Sequence, residues 1–213
     1  MSPIEEPARL FAVVPAAGQS RRMGRPKLLL PLGASTVIAQ MLSALRHPEI
    51  AATIVVVRPD DEPLRAAVAG CGATPLQPSM PPPEMRQSVE HALRHIEARF
   101  RPRADDGWLL APADHPLLAP QVITRMITEW RRSPRMIVVP VYRGRRGHPS
   151  LFPFRLAAEV FNLPADQGLN SLLKVHATEI VQIDTDSPAV AADLDTPEDY
   201  ARLLAAMDRE ESS

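Results

Sequence analysis

This 213-residue sequence has one cysteine, two lysines and almost no net charge. The one cysteine, Cys71, has no partner for an intramolecular disulfide or a cysteine metal cluster, which excludes a disulfide-stapled secreted domain and a zinc ribbon. We therefore expect the protein in a reducing cytoplasm. Its 24 Lys and Arg residues against 25 Asp and Glu residues give a formal charge of -1, which argues against a general basic surface for nucleic acid. Any anion-binding site must be local.

The sequence also lacks a stretch typical of a membrane span or an export signal. The longest uncharged stretch, residues 28–45, is interrupted by Pro31 and Gly33. The first residues, MSPIEEPARL, carry glutamates where a signal peptide needs a basic residue. We expect no membrane association.

Short apolar strands alternate with amphipathic helices along the sequence. The length and the 45% hydrophobic content suit one domain, predicted at residues 10–207 between tails at 1–9 and 208–213. The alternation implies a mostly parallel sheet covered on both faces, because parallel neighbours need crossover connections. We predict an α/β fold, a Rossmann-like three-layer sandwich, with ligands outside the carboxyl ends of its strands. The predicted strands are 10–15, 53–58, 108–111, 136–141 and 179–183, and the predicted helices are 35–47, 62–69, 85–100, 121–132, 154–161 and 196–207.

The loop after the first predicted strand, PAAGQSRRMGRPK at residues 15–27, has the composition of a phosphate site. Its small residues let backbone N–H groups approach an anion closely, and its basic residues add positive charge. The spacing of its glycines fits neither a P-loop nor the GxGxxG of dinucleotide folds. We predict that it binds a triphosphate through Ala16, Ala17, Gly18, Ser20, Arg21, Arg22 and Lys27.

The plain alternative is a solvated basic loop, and the usage of lysine argues against it. Only Lys27 and Lys174 among the 24 basic residues are lysines. A compact ammonium suits a point contact on phosphate oxygens where the planar guanidinium of arginine does not fit. Lys27 is therefore predicted to be catalytic, and Arg22 and Asp114 are predicted to be catalytic together with it.

Three aspartates are candidate ligands for Mg²⁺, which typically takes one or two carboxylates together with phosphate and water. Asp114 ends the segment WLLAPAD that begins with the predicted strand 108–111, and its alternative role is to stabilise a turn before Pro116. Asp193 and Asp195 precede the last predicted helix. The alternative role of Asp195 is to cap that helix without binding the metal. The choice between Asp193 and Asp195 stays open.

The start of the predicted helix 85–100 is a second candidate binding segment. Arg86 and Ser88 lie where free N–H groups favour an anion or the polar edge of a base. His91 and His95 are four residues apart on the same helix but off its apolar face, so we expect an ordinary exposed surface there and no zinc site.

Five segments resemble, in order, the motifs of MobA-like nucleotidyltransferases, and most of all those of molybdenum cofactor cytidylyltransferases. AAGQSRRMGRPKLLLPLG is similar to the family pattern AAGxSxRMGxxKLLLPxxG. PPEMRQSVEHAL resembles GMxxSxxxG, with Glu84 where the family usually has glycine. LLAPADHPLL resembles xxLxDxPxL, GRRGHPSLF resembles GxxGHPxLF, and DLDTPEDY resembles DxDTPEDY. DQGLNSLL, residues 166–173, is a loose version of GDxGxRxLL.

The resemblance implies an enzyme that transfers CMP from CTP to the terminal phosphate of a molybdenum-bound pterin and releases pyrophosphate. It implies that the segment with Arg86 and Ser88 contacts the base, and that His148 lies on the acceptor side. It also implies that Asp193 or Asp195 joins Asp114 at the metal. Arg143, Arg145 and Arg146 are either solvated charges or partners of the acceptor phosphate.

Two other interpretations remain. Guanylyltransferases of the same family and methylerythritol phosphate cytidylyltransferases share the glycine-containing loop and would use another base or another phosphorylated acceptor. A non-catalytic module would instead hold nucleotide or pterin and deliver cofactor to a partner molybdoenzyme.

Overall fold

The structure is a computed structural model that describes the backbone of residues 7–211 and the side chains of residues 7–207. Residues 1–6 of the predicted N-terminal tail and 212–213 of the predicted C-terminal tail lie outside the described residues. The strands are β1 (Leu10–Pro15), β2 (Pro31–Leu32), β3 (Ser35–Thr36), β4 (Ile50–Val56), β5 (Thr74–Leu76), β6 (Gly107–Leu110), β7 (Ile137–Tyr142), β8 (Arg145–Arg146), β9 (Ser150–Pro153) and β10 (Ile180–Asp184). The helices are α1 (Val37–Ala44), α2 (Glu62–Gly70), α3 (Met85–Phe100), α4 (Pro120–Arg132), α5 (Ala157–Phe161), α6 (Asn170–Val175) and α7 (Pro197–Glu211).

Strand β1 lies inside a sheet of order β10-β7-β9-β6-β1-β4-β5. It runs parallel to β4 on one side and to β6 on the other, and β10 runs parallel to β7. Strand β9 is antiparallel to both β6 and β7. Strand β8 pairs only with β7, and β2 and β3 form a separate hairpin. The prediction of a mostly parallel α/β sheet is confirmed.

Both faces of the sheet are covered, because successive side chains of a strand point to opposite faces. In β1, Leu10, Ala12 and Val14 pack in one core with residues of α1, α2, α4 and α7. Phe11 and Val13 pack in the other core with residues of α3, α5 and α6. The three-layer arrangement is therefore as predicted.

The structure differs from the predicted elements in short segments and at the ends of some longer ones. Strand β9 fills the gap between β6 and β7 with four residues for which no strand was predicted. Strand β4 begins and ends earlier than the predicted segment 53–58, and α6 was not predicted. Helix α7 continues past residue 207 to Glu211.

No helix in the described part of the chain is both long enough and apolar enough to cross a membrane.

Candidate functional site

Three segments meet where β1 and β6 end. They are the loop 16–26 after β1, the turn at Asp114 after β6, and residues 193–196 before α7. Leu194 N donates to the Asp114 carbonyl at 2.9 Å, which ties the last two segments together. The predicted site residues from distant parts of the sequence therefore share the carboxyl edge of the sheet, where ligands bind in open α/β folds.

Lys27 lies at the centre of this edge, and its ammonium group has three acceptors. Nζ donates to Asp114 Oδ2 at 2.9 Å, to Asp195 Oδ1 at 3.0 Å and to the Leu194 carbonyl at 2.7 Å. The side chain is only 12% exposed, so these bonds replace most of its hydration. Since an ammonium has three donors in all, every donor of Lys27 is used in joining these two segments.

Arg22 and Arg21 approach the same edge from the loop. Arg22 Nη2 donates to Asp195 Oδ2 at 2.7 Å, so Asp195 is paired with two cations. Arg21 is exposed and donates from Nε to Gln19 Oε1 at 2.8 Å. It makes no ion pair with any residue of the described chain, and its charge is available to an anion in the adjoining space.

The loop backbone folds back on itself and leaves open space beside Gly18. Ser20 (φ 49°) and Gly24 (φ 70°) adopt left-handed conformations, and the N–H groups of Met23 and Gly24 both donate to the Ser20 carbonyl at 3.1 Å. Met23 is buried and anchors the loop. A Cβ at Gly18 would meet nothing within 4 Å, so packing does not require glycine there and the space is open to a ligand that approaches the backbone.

Two cavities open at this edge, of about 830 Å³ and about 290 Å³. We call them the large and the small cavity. Both are lined by Gly18, Arg21 and Asp114. Of the other predicted site residues, the large cavity is lined by Ala17, Ser88, His148 and Asp193, and the small cavity by Ala16, Ser20, Arg22, Lys27 and Asp195.

The three predicted metal-binding aspartates have different surroundings. Asp193 is exposed and lines the large cavity, whereas Asp195 lines the small cavity and is paired with Lys27 and Arg22. Within residues 7–207, no group of three or more His, Cys, Asp or Glu side chains is arranged to hold a metal ion. A divalent cation beside Asp114 would therefore need phosphate or water oxygens as further ligands, as is usual for Mg²⁺.

Two histidines form part of the wall of the large cavity. The rings of His115 and His148 meet edge to face with centroids 5.2 Å apart. Burial lowers the pKa of His148 from 6.5 to about 4, and His115 also lowers it, although Asp114 and Asp193 act in the opposite direction. His148 is therefore neutral at pH 7 and offers a bound molecule one hydrogen-bond donor or acceptor without charge.

Arg86 lines neither cavity, in contrast to its predicted contact with the base. Its Nη1 donates to the carbonyls of Leu163 at 3.1 Å and Pro164 at 2.6 Å, and its Nε lies 3.3 Å from Glu90 Oε1. The side chain is 10% exposed. The guanidinium reaches these carbonyls because it lies on the side of α3 that faces the segment after α5, and it anchors that segment to the helix.

Ser88 does face the large cavity from the first turn of α3 and is 3% exposed. Its hydroxyl has no hydrogen-bond partner among the described residues. A nearly buried hydroxyl without a partner is available to a ligand in the cavity. The free N–H groups of the helix's first turn lie in the same place.

Other contacts of the site were not evident from the sequence. His115 was not predicted as a site residue, and its only signal is its position next to Asp114. The Leu194 carbonyl contacts Lys27 through the backbone, which no side-chain pattern reveals. His91 is exposed and His95 half-buried, and neither lines the two cavities.

The family model of the MobA-like NTP transferase domain matches residues 12–181 of this chain. That range contains the loop after β1, Asp114 and His148. This chain belongs to the MobA-like NTP transferase family. The family resemblance of the sequence motifs is thus confirmed. The family is one of nucleotidyltransferases, which in general bind nucleoside triphosphates and phosphorylated acceptors.

Curated relatives of this MobA-like chain carry several names. Purine catabolism protein PucB of Bacillus subtilis is 27% identical over 203 residues, which are 93% of this chain and 97% of the relative. Bifunctional enzyme IspD/IspF of Bradyrhizobium sp. is 30% identical over 91% of this chain, and the match spans only 55% of that enzyme's length. A probable molybdenum cofactor guanylyltransferase of Rhodopirellula baltica is 32% identical over 64% of this chain and 63% of the relative.

Solved structures share the fold over nearly the whole chain. The crystal structure of Rv0371c from Mycobacterium tuberculosis has a TM-score of 0.75 and 29% identity, and covers 93% of this chain and 99% of that chain. A second structure of Rv0371c, in complex with manganese, has a TM-score of 0.69 and 29% identity, and covers 94% of this chain and 100% of that chain.

Proposed function

We propose that this MobA-like enzyme transfers CMP from CTP to the terminal phosphate of a molybdenum-bound pterin and releases pyrophosphate. The observation that carries the proposal is the large cavity of about 830 Å³, which is lined by the loop after β1, by Asp114, and by Arg145, Arg146 and His148. A phosphate loop and two guanidinium groups around one cavity suit a nucleotide and a phosphorylated acceptor bound side by side.

The triphosphate binds to the loop after β1. The backbone of Ala17 and Gly18 contacts the β- and γ-phosphates together with Arg22, and Lys27 neutralises charge on the α-phosphoryl group and the leaving pyrophosphate. All three donors of Lys27 already have acceptors, so a phosphate oxygen has to replace one of them. Asp114 is the acceptor most readily replaced, because a metal cation at Asp114 would compete with the ammonium for the same carboxylate.

Asp114 and Asp193 fit a divalent cation, Mg²⁺, better than Asp114 and Asp195 do. Both Asp114 and Asp193 line the large cavity, whereas Asp195 is already paired with Lys27 and Arg22. When bound, the cation would neutralise phosphate charge between the two substrates. The manganese complex of Rv0371c, a protein 29% identical to this one, supports a divalent cation in this fold.

The reaction needs no nucleophile from the protein, because the acceptor phosphate is itself a nucleophile. One of its oxygens attacks the α-phosphorus of CTP, and a new phosphorus–oxygen bond forms as the bond to the bridging oxygen of the β-phosphate breaks. That oxygen leaves with pyrophosphate. The protein contributes alignment and charge neutralisation.

Cytidine and the molybdenum-bound pterin are favoured by two sequence segments. AAGQSRRMGRPKLLLPLG and GRRGHPSLF both resemble the molybdenum cofactor cytidylyltransferase motifs, and the second contributes Arg145, Arg146 and His148 to the cavity wall. Guanylyl transfer to a related acceptor is the second candidate, supported by the Rhodopirellula baltica relative.

Pyrophosphate release tests this proposal directly. The purified chain is incubated with Mg²⁺, a molybdenum-bound pterin acceptor and CTP, GTP, ATP or UTP in turn. We expect release with CTP at least about ten-fold faster than with the other nucleotides, which is about 1.4 kcal/mol of discrimination. Release with GTP alone would overturn the choice of base, and tight nucleotide binding without any release would favour the non-catalytic delivery module.

A further inference from the structure

We propose that Glu84 is a specificity-determining residue, whose carboxylate accepts a hydrogen bond from the exocyclic amino group of the nucleobase and disfavours uracil. The inference rests on the proposed nucleotidyl transfer and identifies the group that selects the base at the same site. Glu84 lines the large cavity just before α3.

The charges around the large cavity indicate where the phosphates lie. The loop after β1, with Arg21, is the triphosphate side, and Arg145 and Arg146 are the side of the acceptor phosphate. The wall formed by segment 81–88 is mostly apolar and suits the face of a planar ring, and the family resemblance of this segment implies that it contacts the base. Its residues in the cavity wall are Pro81, Pro82, Pro83, Glu84, Met85 and Ser88.

Ser88 offers a second polar group to a ligand at this wall. It is 3% exposed, and its hydroxyl has no hydrogen-bond partner in the part of the chain that the structure describes. The hydroxyl is accessible from the large cavity, so a bound molecule or water there can satisfy it. The polar edge of a base is such a partner.

The carboxylate of Glu84 is also available to a ligand. Glu84 is extended (φ -137°, ψ 164°) at the position where a side chain usually caps a helix, but it makes no capping hydrogen bond to α3. By contrast, the Asp61 side chain caps α2 by accepting from Leu64 N at 3.2 Å. Glu84 makes no ion pair or hydrogen bond through its side chain with the described residues. Both of its oxygens can therefore accept.

Donors and an acceptor thus lie side by side at the start of α3. The N–H groups of the first turn and the Ser88 hydroxyl can donate, and the Glu84 carboxylate can only accept. Cytosine presents an amino donor beside two acceptors, which matches this order, and Glu is a known acceptor for that amino group. Uracil has a carbonyl oxygen in place of the amino group, and that oxygen would face the carboxylate without a proton between them.

Equilibrium binding of CTP, UTP and GTP with Mg²⁺, without any acceptor, tests the role of Glu84. Glu84→Ala should weaken CTP binding and lower the CTP-to-UTP affinity ratio by at least about five-fold, because a hydrogen bond to a charged group is lost. Glu84→Gln should lower the ratio as well, mainly through tighter UTP binding, since its amide N–H can donate to the uracil carbonyl. Glu97→Gln, an exposed change further along α3, is the control and should leave the ratio within two-fold of wild type.

The outcomes separate this inference from the proposed function. A CTP-to-UTP ratio that stays within two-fold of wild type in both Glu84 variants overturns the role of Glu84, whatever the activity with CTP. A wild-type preference for GTP that falls in Glu84→Ala supports amino-group recognition while overturning the choice of cytidine. Equal binding of CTP and UTP by the wild type overturns the role of Glu84 alone, and no nucleotide binding at all overturns both.

Discussion

At the scale of single residues, the site is organised by the ammonium group of Lys27. Three bonds of 2.7–3.0 Å connect it to Asp114, Leu194 and Asp195, which belong to segments far from it in sequence. The rarity of lysine in this chain already singles out Lys27, and the geometry of its contacts supplies the reason. Three acceptors around one point suit the compact ammonium, whereas the planar guanidinium of an arginine directs its donors outward in one plane.

Lys27→Ala, Lys27→Arg and Asp114→Ala are each expected to lower turnover at least about ten-fold, because an interaction that neutralises transition-state charge is removed. Steady-state pyrophosphate release measures the effect, and circular dichroism confirms that the variants stay folded. Lys174→Ala replaces the other lysine, which is exposed on α6, and should retain wild-type turnover. Near-normal turnover of both Lys27→Ala and Asp114→Ala would contradict the proposed roles.

At the scale of elements, the acceptor side depends on close backbone contact between the turn before β9 and residues 188–191. His148 N donates to the Val190 carbonyl at 2.7 Å. A Cβ on Gly147 would lie 2.2 Å from the same carbonyl oxygen, so only glycine permits this approach. The contact places His148 beside the segment that carries Asp193.

Gly147→Ala is expected to push these two segments apart and to lower turnover at least about ten-fold, because small displacements of positioning groups are costly in catalysis. It should also destabilise the fold by about 1–3 kcal/mol, as overpacking does. Kinetics and thermal unfolding measure the two effects. Gly168→Ala, where a Cβ would meet nothing within 4 Å, is the matched control. Equal turnover of the two variants would show that the contact is not needed.

At the scale of the whole molecule, the amino end of the sheet is held by a buried aspartate at the edge opposite the site. Asp106 is fully buried and accepts from Arg9 N at 2.7 Å, from Arg9 Nη2 at 2.7 Å and from Arg103 N at 2.9 Å. Its backbone carbonyl accepts from Phe154 N at 2.7 Å. It thereby joins the segments before β1 and β6 and the segment after β9.

Asp106→Asn is expected to lower the free energy of unfolding by about 1–3 kcal/mol, because it weakens the charge-assisted hydrogen bonds that Asp106 accepts from Arg9 and from the N–H of Arg103. Burial by itself raises the pKa of Asp106, but the hydrogen bonds and charge of Arg9, with the N–H of Arg103, hold it below its usual value of 3.8. A lowered folded-state pKa means that the contribution is present above pH 3.8 and is lost as the pH falls through the folded-state value.

Urea unfolding of wild type and Asp106→Asn from pH 7 down to pH 3 measures this difference in stability. The difference should be constant near neutral pH and shrink below about pH 4, because the Asp106 carboxylate of the unfolded chain takes up its proton there before that of the folded chain does. If the difference in unfolding free energy between wild type and Asp106→Asn were as large at pH 3 as at pH 7, it would contradict the stabilising role of the Asp106–Arg9 ion pair.

Much of the fold could be predicted from the sequence, because its long elements have strong local patterns. The bounds of β1 and α3 agree with the predicted ones, since both combine an uninterrupted apolar pattern with clear ends. The short strand β9 could not be predicted, because its four residues become a strand only between β6 and β7. Arg86 shows the same limit for a side chain, since its partners are carbonyls more than 70 residues away.

The sequence by itself determined the fold class and the family, and it predicted most of the residues that line the candidate site, because periodicity and motif spacing are local properties. Tertiary structure decided which of these residues share a surface and what each one contacts. It paired Asp195 with Lys27 and Arg22, left Asp193 exposed in the large cavity, turned Arg86 away from it and left the carboxylate of Glu84 without a partner. Those contacts join segments far apart in the chain, so they exist only once the sheet has brought the carboxyl ends of its strands together.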